Sequence, residues 1–125
     1  MNYLLALYSL TSGLFVIILI STYGAILSRK LSFNYANLGV LSGILYCVLG
    51  FVISQKADLA TALIINGLLG FVDSTLGFLL SIHFKANNGY SKEQSLKMIS
   101  VKTSIGMILF AMILSSIGYG LTYLF

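Results

Sequence analysis

Four long apolar stretches constrain the fold of this chain more than any other feature of its sequence. They run from about Tyr3 to Leu27, from Ala36 to Ile53, from Leu59 to Phe84 and from about Ser100 to Phe125. Each reaches the roughly 17–25 residues that a helix needs to cross the hydrocarbon core of a bilayer. No stretch alternates apolar and polar residues, and backbone groups in lipid must bond within their own segment, so we expect helices rather than strands.

The rest of the chain leaves no room for a separate soluble domain. Only 8% of the 125 residues are charged and 58% are hydrophobic, whereas a soluble domain carries about a quarter charged residues. We therefore predict a single all-α integral membrane domain over residues 1–125, an antiparallel bundle of four transmembrane helices. The helices are expected at about residues 3–27, 36–53, 59–84 and 92–125, the last beginning at the capping-box spacing of Ser91 and Gln94.

The basic residues predict an orientation for this bundle. Arg29 and Lys30 follow the first stretch, and only Lys56 follows the second; the remaining lysines follow the third, at positions 85, 92, 97 and 102. Because positively charged short loops stay in the cytoplasm, we predict a multi-pass protein of the plasma (inner) membrane with both termini outside. The net charge of +4 then reflects anchoring to anionic headgroups, and no nucleic-acid partner is expected.

Small residues recur at helical spacing along the second, third and fourth stretches. Such seams let helix backbones approach closely in lipid, where apolar bulk gives no net drive to associate. The predicted packing positions are Gly39, Gly43, Gly50, Gly70, Gly77, Ser104, Ala111, Ser115 and Gly118. Helix packing explains each seam, so the seams by themselves indicate no function.

Short matches within the sequence do not establish an internal repeat. The tripeptide Leu49-Gly50-Phe51 recurs as Leu76-Gly77-Phe78, and Gly43 and Gly70 share the same offset. A tripeptide and one further glycine are too little to indicate a duplication.

Asp73 is the only acidic residue deep within an apolar stretch. An aspartate at the bilayer centre costs about 2.5–3.5 kcal/mol on insertion scales, so its presence needs a cause. On an ideal helix Asp73 shares one polar face with Asn66 and Ser74, and Tyr46 lies at a similar depth on the second stretch. One hypothesis is an ion or substrate site formed by Asp73, Asn66, Tyr46 and Ser74. The other is a structural acid, bonded to Tyr46 or a serine, that fixes the register of the helices.

The inventory of reactive side chains argues against an enzyme. One histidine, one cysteine and three acidic residues form no recognisable metal site and no nucleophile–base pair. We therefore predict no enzymatic activity, no cofactor and no metal. Two functions remain open: transport of a proton, ion or small solute in a homo-oligomer, or a non-catalytic subunit or scaffold that docks onto another membrane protein.

Overall fold

The computed structural model describes residues 3–125, and within that range the chain is helical without any β-strand. The helices are α1 (Tyr3–Leu19), α2 (Ala25–Lys30), α3 (Gly39–Lys56), α4 (Leu59–Val72), α5 (Phe78–His83), α6 (Lys92–Lys97) and α7 (Val101–Leu121). A π-helical turn, Ile20–Gly24, joins α1 to α2, and a second one, Asp73–Gly77, joins α4 to α5. A 3-10 turn, Tyr35–Leu38, leads into α3.

Four continuous helical segments are long and apolar enough to span a membrane. They are Leu4–Lys30, Tyr35–Lys56, Leu59–His83 and Val101–Leu121, called spans 1 to 4 below. Large apolar side chains are exposed along their outer faces, among them Phe15, Val40, Ile64 and Ile113. An apolar exterior of this kind suits lipid, so a multi-pass membrane protein is indicated and the expected all-helical fold is confirmed.

Spans 2, 3 and 4 form the tightly packed part of the bundle. Span 4 packs along both span 2 and span 3, and span 1 packs against spans 2 and 3. The buried apolar core contains Ile17, Tyr46, Leu49, Ile53, Ala62, Ile65, Leu69 and Ala111. The short connections make successive spans antiparallel, which places the loop after span 1 and the loop after span 3 at the same end of the bundle.

The predicted fourth helix over residues 92–125 is two helices in the structure. The capping box begins α6, because the Gln94 N–H donates to Ser91 Oγ at 3.1 Å and the Ser91 N–H donates to Gln94 Oε1 at 3.0 Å. A second N-cap follows at Ser100, which is extended and accepts from the Thr103 N–H at 3.2 Å. This second cap ends the continuity of the helix, so α6 lies outside span 4.

The loops after spans 1 and 3 bond directly to each other. The Tyr35 N–H donates to the Asn87 carbonyl at 2.7 Å, and the Asn87 N–H donates to Ser28 Oγ at 3.0 Å. The Asn87 side chain also donates to the Phe33 carbonyl at 3.1 Å. The basic residues that follow spans 1 and 3 are thereby gathered at one end, called the loop end below.

Asp58 caps the start of span 3, at the opposite end. Its carboxylate accepts from the Thr61 hydroxyl and from the Thr61 N–H, the latter at 2.8 Å. These two hydrogen bonds, the hydroxyl's first, hold the pKa of Asp58 below its ordinary value. A carboxyl group whose pKa is lower folded than unfolded adds stability above its unfolded pKa, and that stability is lost as the pH falls through the folded pKa.

We therefore expect acid to remove part of the stability of this helix start. Thermal unfolding of the purified protein should shift to lower temperature as the pH falls below about 4, the unfolded pKa of aspartate. Asp58→Asn should flatten that dependence, because asparagine caps a helix about as well but does not titrate. Melting curves of both proteins between neutral and acidic pH check this, and identical slopes would contradict it.

Candidate ion or substrate site at Asp73

Span 3 changes its helical geometry at the predicted site. Asp73 is the first of the five residues in the π-helical turn Asp73–Gly77. A π turn has i→i+5 hydrogen bonds and is wider than an α-helical turn, and such turns are frequent at functional sites. The chain has no proline, so the change does not come from a proline kink.

Two hydroxyl groups from span 2 face the Asp73 carboxyl group. Tyr46 Oη donates to Asp73 Oδ2 at 2.9 Å, and the Ser42 hydroxyl lies beside the same carboxyl group. The Tyr46 side chain is fully buried and meets the Phe110 ring edge-on, with ring centroids 6.3 Å apart. Within residues 3–125, no basic side chain forms an ion pair with Asp73. The carboxyl group therefore has hydroxyl partners but no balancing cation in the described chain.

Asp73 borders a cavity of about 540 Å³ in the loop-end half of the bundle. Much of its lining is apolar or aromatic, including Ile20, Tyr35, Phe78, Tyr90 and Met107. Gly39 of span 2 and Gly106 of span 4 also border it, and apart from the local backbone no described atom lies within 4 Å of where a Cβ would stand at either. The cavity is thus a largely apolar space with one carboxyl group at its wall.

Asn66 lies deeper in the bundle and acts as a link between three spans. Its side chain is fully buried, and its Nδ2 donates to the Tyr46 carbonyl at 3.1 Å and to Ser115 Oγ at 2.8 Å. Asn66 Oδ1 has no hydrogen-bond partner among the described residues. Asn66 therefore fixes the backbone beside Tyr46 rather than contacting Asp73.

Ser74 lines the same cavity as Asp73, and its hydroxyl points towards span 4. Its hydroxyl donates to the Phe71 carbonyl at 3.0 Å and approaches Ser104 Oγ at 3.4 Å. Of the four predicted site residues, the structure thus brings Asp73 and Tyr46 into direct contact. Ser74 and Asn66 support the packing around them.

The single polar face predicted for span 3 is divided between two neighbours. At Gly70 a Cβ would stand 2.8 Å from the Met107 carbonyl oxygen of span 4, whereas at Gly77 it would stand 3.0 Å from Ser21 Oγ of span 1. The prediction assumed about 100° per residue throughout. The π turn begins between these glycines, and it changes the direction of the residues that follow it.

The predicted seam positions on spans 2 and 4 are close contacts or buried positions in the packing of span 4 against spans 2 and 3, with one exception. A Cβ on Gly50 would overlap the backbone of Ser115, and one on Gly118 would overlap the Cys47 carbonyl oxygen. Ala111 and Ser104 are buried, and Gly43 lies near Leu114. Gly39 differs from the prediction because it is exposed and borders the cavity, where spans 2 and 4 have separated.

Sequence reasoning missed several residues that surround the acid. Ser42, Ile20 and Tyr35 all line the cavity, and none was expected there. One signal was present in the sequence, because the pattern Ser-Thr-x-Gly-x-x-Leu-Ser occurs at residues 21–28 and again at residues 74–81. The pattern places Ile20 and Asp73 at equivalent positions, a local match that the tripeptide and the glycine pair did not reveal.

The polar groups nearest the acid are the two hydroxyl groups that face its carboxyl group. A carboxyl group with hydroxyl donors can hold a proton or a cation. Among residues 3–125, no histidine, cysteine or lysine lines the cavity beside it. Among the described residues, no group of three His, Cys, Asp or Glu side chains is placed to hold a metal ion.

Comparison with known proteins assigns no family, since no family model, curated protein or solved structure matches this chain.

Proposed function

We propose that this protein moves a proton, a small cation, or a solute coupled to one across the membrane, with Asp73 as the binding group. One observation carries the proposal: an acidic side chain without a cationic partner in the described chain lies at the wall of a cavity. Acidic residues within membrane spans are costly and typically serve ion or proton pathways. Tyr46 and Ser42 orient the carboxyl group.

The shape of the bundle supports a homo-oligomer as the transporting unit. The cavity occupies only the loop-end half, and the other half is filled by core residues such as Leu49, Ile53 and Ile65. A continuous route through one rigid copy would have to cross this packed region. We propose that copies associate in the plasma membrane, with the basic loops and the cavity opening on the cytoplasmic side.

Flux measurements on reconstituted protein test this function. Liposomes with the wild-type chain should show proton or cation uptake driven by an imposed potential, and Asp73→Asn should reduce it to the level of empty liposomes. Thr75→Val is the matched control because Thr75 lies in the same turn but bonds to its own helix, donating to the Phe71 carbonyl at 2.8 Å. That variant should retain the flux.

Two results would count against transport. Equal flux from wild type and Asp73→Asn would remove Asp73 from the pathway. Absence of flux from the folded wild type, together with a stoichiometric membrane partner retained in mild detergent, would favour a non-catalytic subunit or scaffold instead.

A further inference from the structure

The repeated pattern in spans 1 and 3 corresponds to a repeated piece of structure. Each copy is a five-residue π turn followed by a six-residue α-helix, α2 in span 1 and α5 in span 3. Each copy then ends near a residue in the left-handed region, Ser32 with φ 59° and Lys85 with φ 58°. Non-glycine residues rarely adopt this conformation, so its recurrence at the same place is a specific match.

The side-chain hydrogen bonds of the two copies match as well. In each copy the threonine hydroxyl donates to the carbonyl four residues earlier, and the last serine hydroxyl donates to the carbonyl three residues earlier. These bonds are Thr22 to Ile18 at 2.7 Å and Thr75 to Phe71 at 2.8 Å, then Ser28 to Ala25 at 2.7 Å and Ser81 to Phe78 at 2.6 Å. Spans 1 and 3 therefore contain the same local structure, a π turn with matching side-chain hydrogen bonds.

Both copies present their first residue to the same cavity. Ile20 and Asp73 begin the two turns, and both border the cavity. A Cβ on Gly24 would stand 3.7 Å from Ile20 Cγ2, and one on Gly77 would stand 3.2 Å from Asp73 Oδ1. In each turn a glycine thus lies beside the first side chain, which is apolar in one copy and acidic in the other, and only the Gly77 position is too tight for a Cβ beside that side chain.

We propose that the cavity between the two repeated turns binds an apolar organic cation, with the Asp73 turn supplying the counter-charge and the Ile20 turn supplying part of the apolar wall. The inference rests on the proposed cation-binding role of Asp73 and adds the chemical class of the ligand.

The lining of the cavity favours an apolar organic cation over a bare metal ion or an anion. An alkali or alkaline-earth ion needs several oxygen ligands, whereas the surface that the lining residues present to this cavity of about 540 Å³ is mostly apolar. A cation with a large apolar surface would pair with Asp73 and bury that surface against Ile20, Phe78 and the tyrosines. An anion of the same size would meet the carboxyl group without a cation beside it.

Two probes of nearly equal size and opposite charge test the proposal. The purified wild type in detergent should bind tetraphenylphosphonium, and it should not bind tetraphenylborate. Asp73→Asn should weaken tetraphenylphosphonium binding at least about tenfold, since an uncharged amide no longer balances the ligand. Gly106→Leu, which fills open space beside the cavity, should also weaken binding while the acid remains in place.

Moving the acid tests the equivalence of the two turns. In the Asp73→Asn background, Ile20→Asp should recover part of the lost tetraphenylphosphonium binding, whereas the neutral Ile20→Asn should not. Folding of each variant is checked by its elution as a single species and by its melting temperature. If the relocated acid prevents folding, Ile20→Ala in the wild-type background replaces it, and binding should weaken about tenfold through lost apolar contact.

The outcomes separate this inference from the proposed function. Asp73-dependent proton or metal-ion flux without tetraphenylphosphonium binding would overturn the ligand class and leave transport standing. Asp73-dependent binding without any flux would support the ligand class and overturn transport. Equal binding of both probes, or binding unaffected by Asp73→Asn and Gly106→Leu, would mean that the cavity holds lipid-like molecules without regard to charge and would overturn the inference.

Discussion

Gly118→Ala is expected to destabilise the bundle by about 3 kcal/mol or more, the upper part of the range for overpacking a close contact. The added Cβ would overlap the Cys47 carbonyl oxygen and would stand 2.7 Å from the Phe51 backbone nitrogen. Both atoms belong to the backbone of span 2, so no side chain can rotate away to make room. Spans 2 and 4 would have to separate along their tightest contact.

Gly120→Ala provides the matched control two residues along the same helix. Apart from the local helix backbone, no described atom lies within 4 Å of a Cβ built at Gly120, and alanine favours a helix over glycine by about 1 kcal/mol. The control should therefore be neutral or slightly stabilising. Reversible unfolding of both variants in mixed micelles measures the difference, and a Gly118→Ala protein as stable as its control would contradict the close contact between spans 2 and 4.

Asn66→Asp is expected to destabilise the bundle by about 3 kcal/mol, the upper part of the range for leaving a buried polar group without its hydrogen-bond partner. The substitution conserves shape but replaces the amide nitrogen, which donates both to the Tyr46 carbonyl and to Ser115 Oγ. A carboxylate oxygen there would face the Tyr46 carbonyl oxygen at about the present 3.1 Å and repel it. Asn66 is fully buried, so water cannot replace the lost hydrogen bonds.

The opposite substitution, Asp73→Asn, is the comparison for Asn66→Asp. Asp73→Asn keeps an oxygen that can accept from Tyr46 Oη, and residue 73 borders the cavity, so its effect on stability should be much smaller. Unfolding free energies of Asp73→Asn and Asn66→Asp, measured under the same conditions, test this difference in stability. If Asp73→Asn were the more damaging change, Asp73 would be the structural link and Asn66 would not.

The sequence predicted the features that depend on composition and depth alone. Apolar stretches of sufficient length predicted the four spans, and Asp73 and Tyr46 contact each other because both lie near the middle of neighbouring spans. The contacts of Gly50 and Gly118 follow from the same logic, because only glycine permits two helix backbones to approach that closely in a packed seam.

The features that were not predicted arise where local geometry departs from a regular helix. A helical wheel assumes a constant angle per residue, so it could not foresee that a π turn sends Gly70 and Gly77 towards different spans. Ser91 and Ser100 are both good N-caps, and a pattern of residues does not say that both are used. The cavity depends on the distance between spans 2 and 4, and that distance cannot be read from the sequence of either span alone.

The bonds between the two loops at one end of the bundle also constrain how the chain is made. The Tyr35 N–H finds its acceptor on Asn87, and Ser28 Oγ accepts from the same residue. During synthesis Asn87 emerges only after the third crossing has been produced. The hydrogen bonds that Asn87 makes to the first helical hairpin can therefore form only after the third crossing has been made.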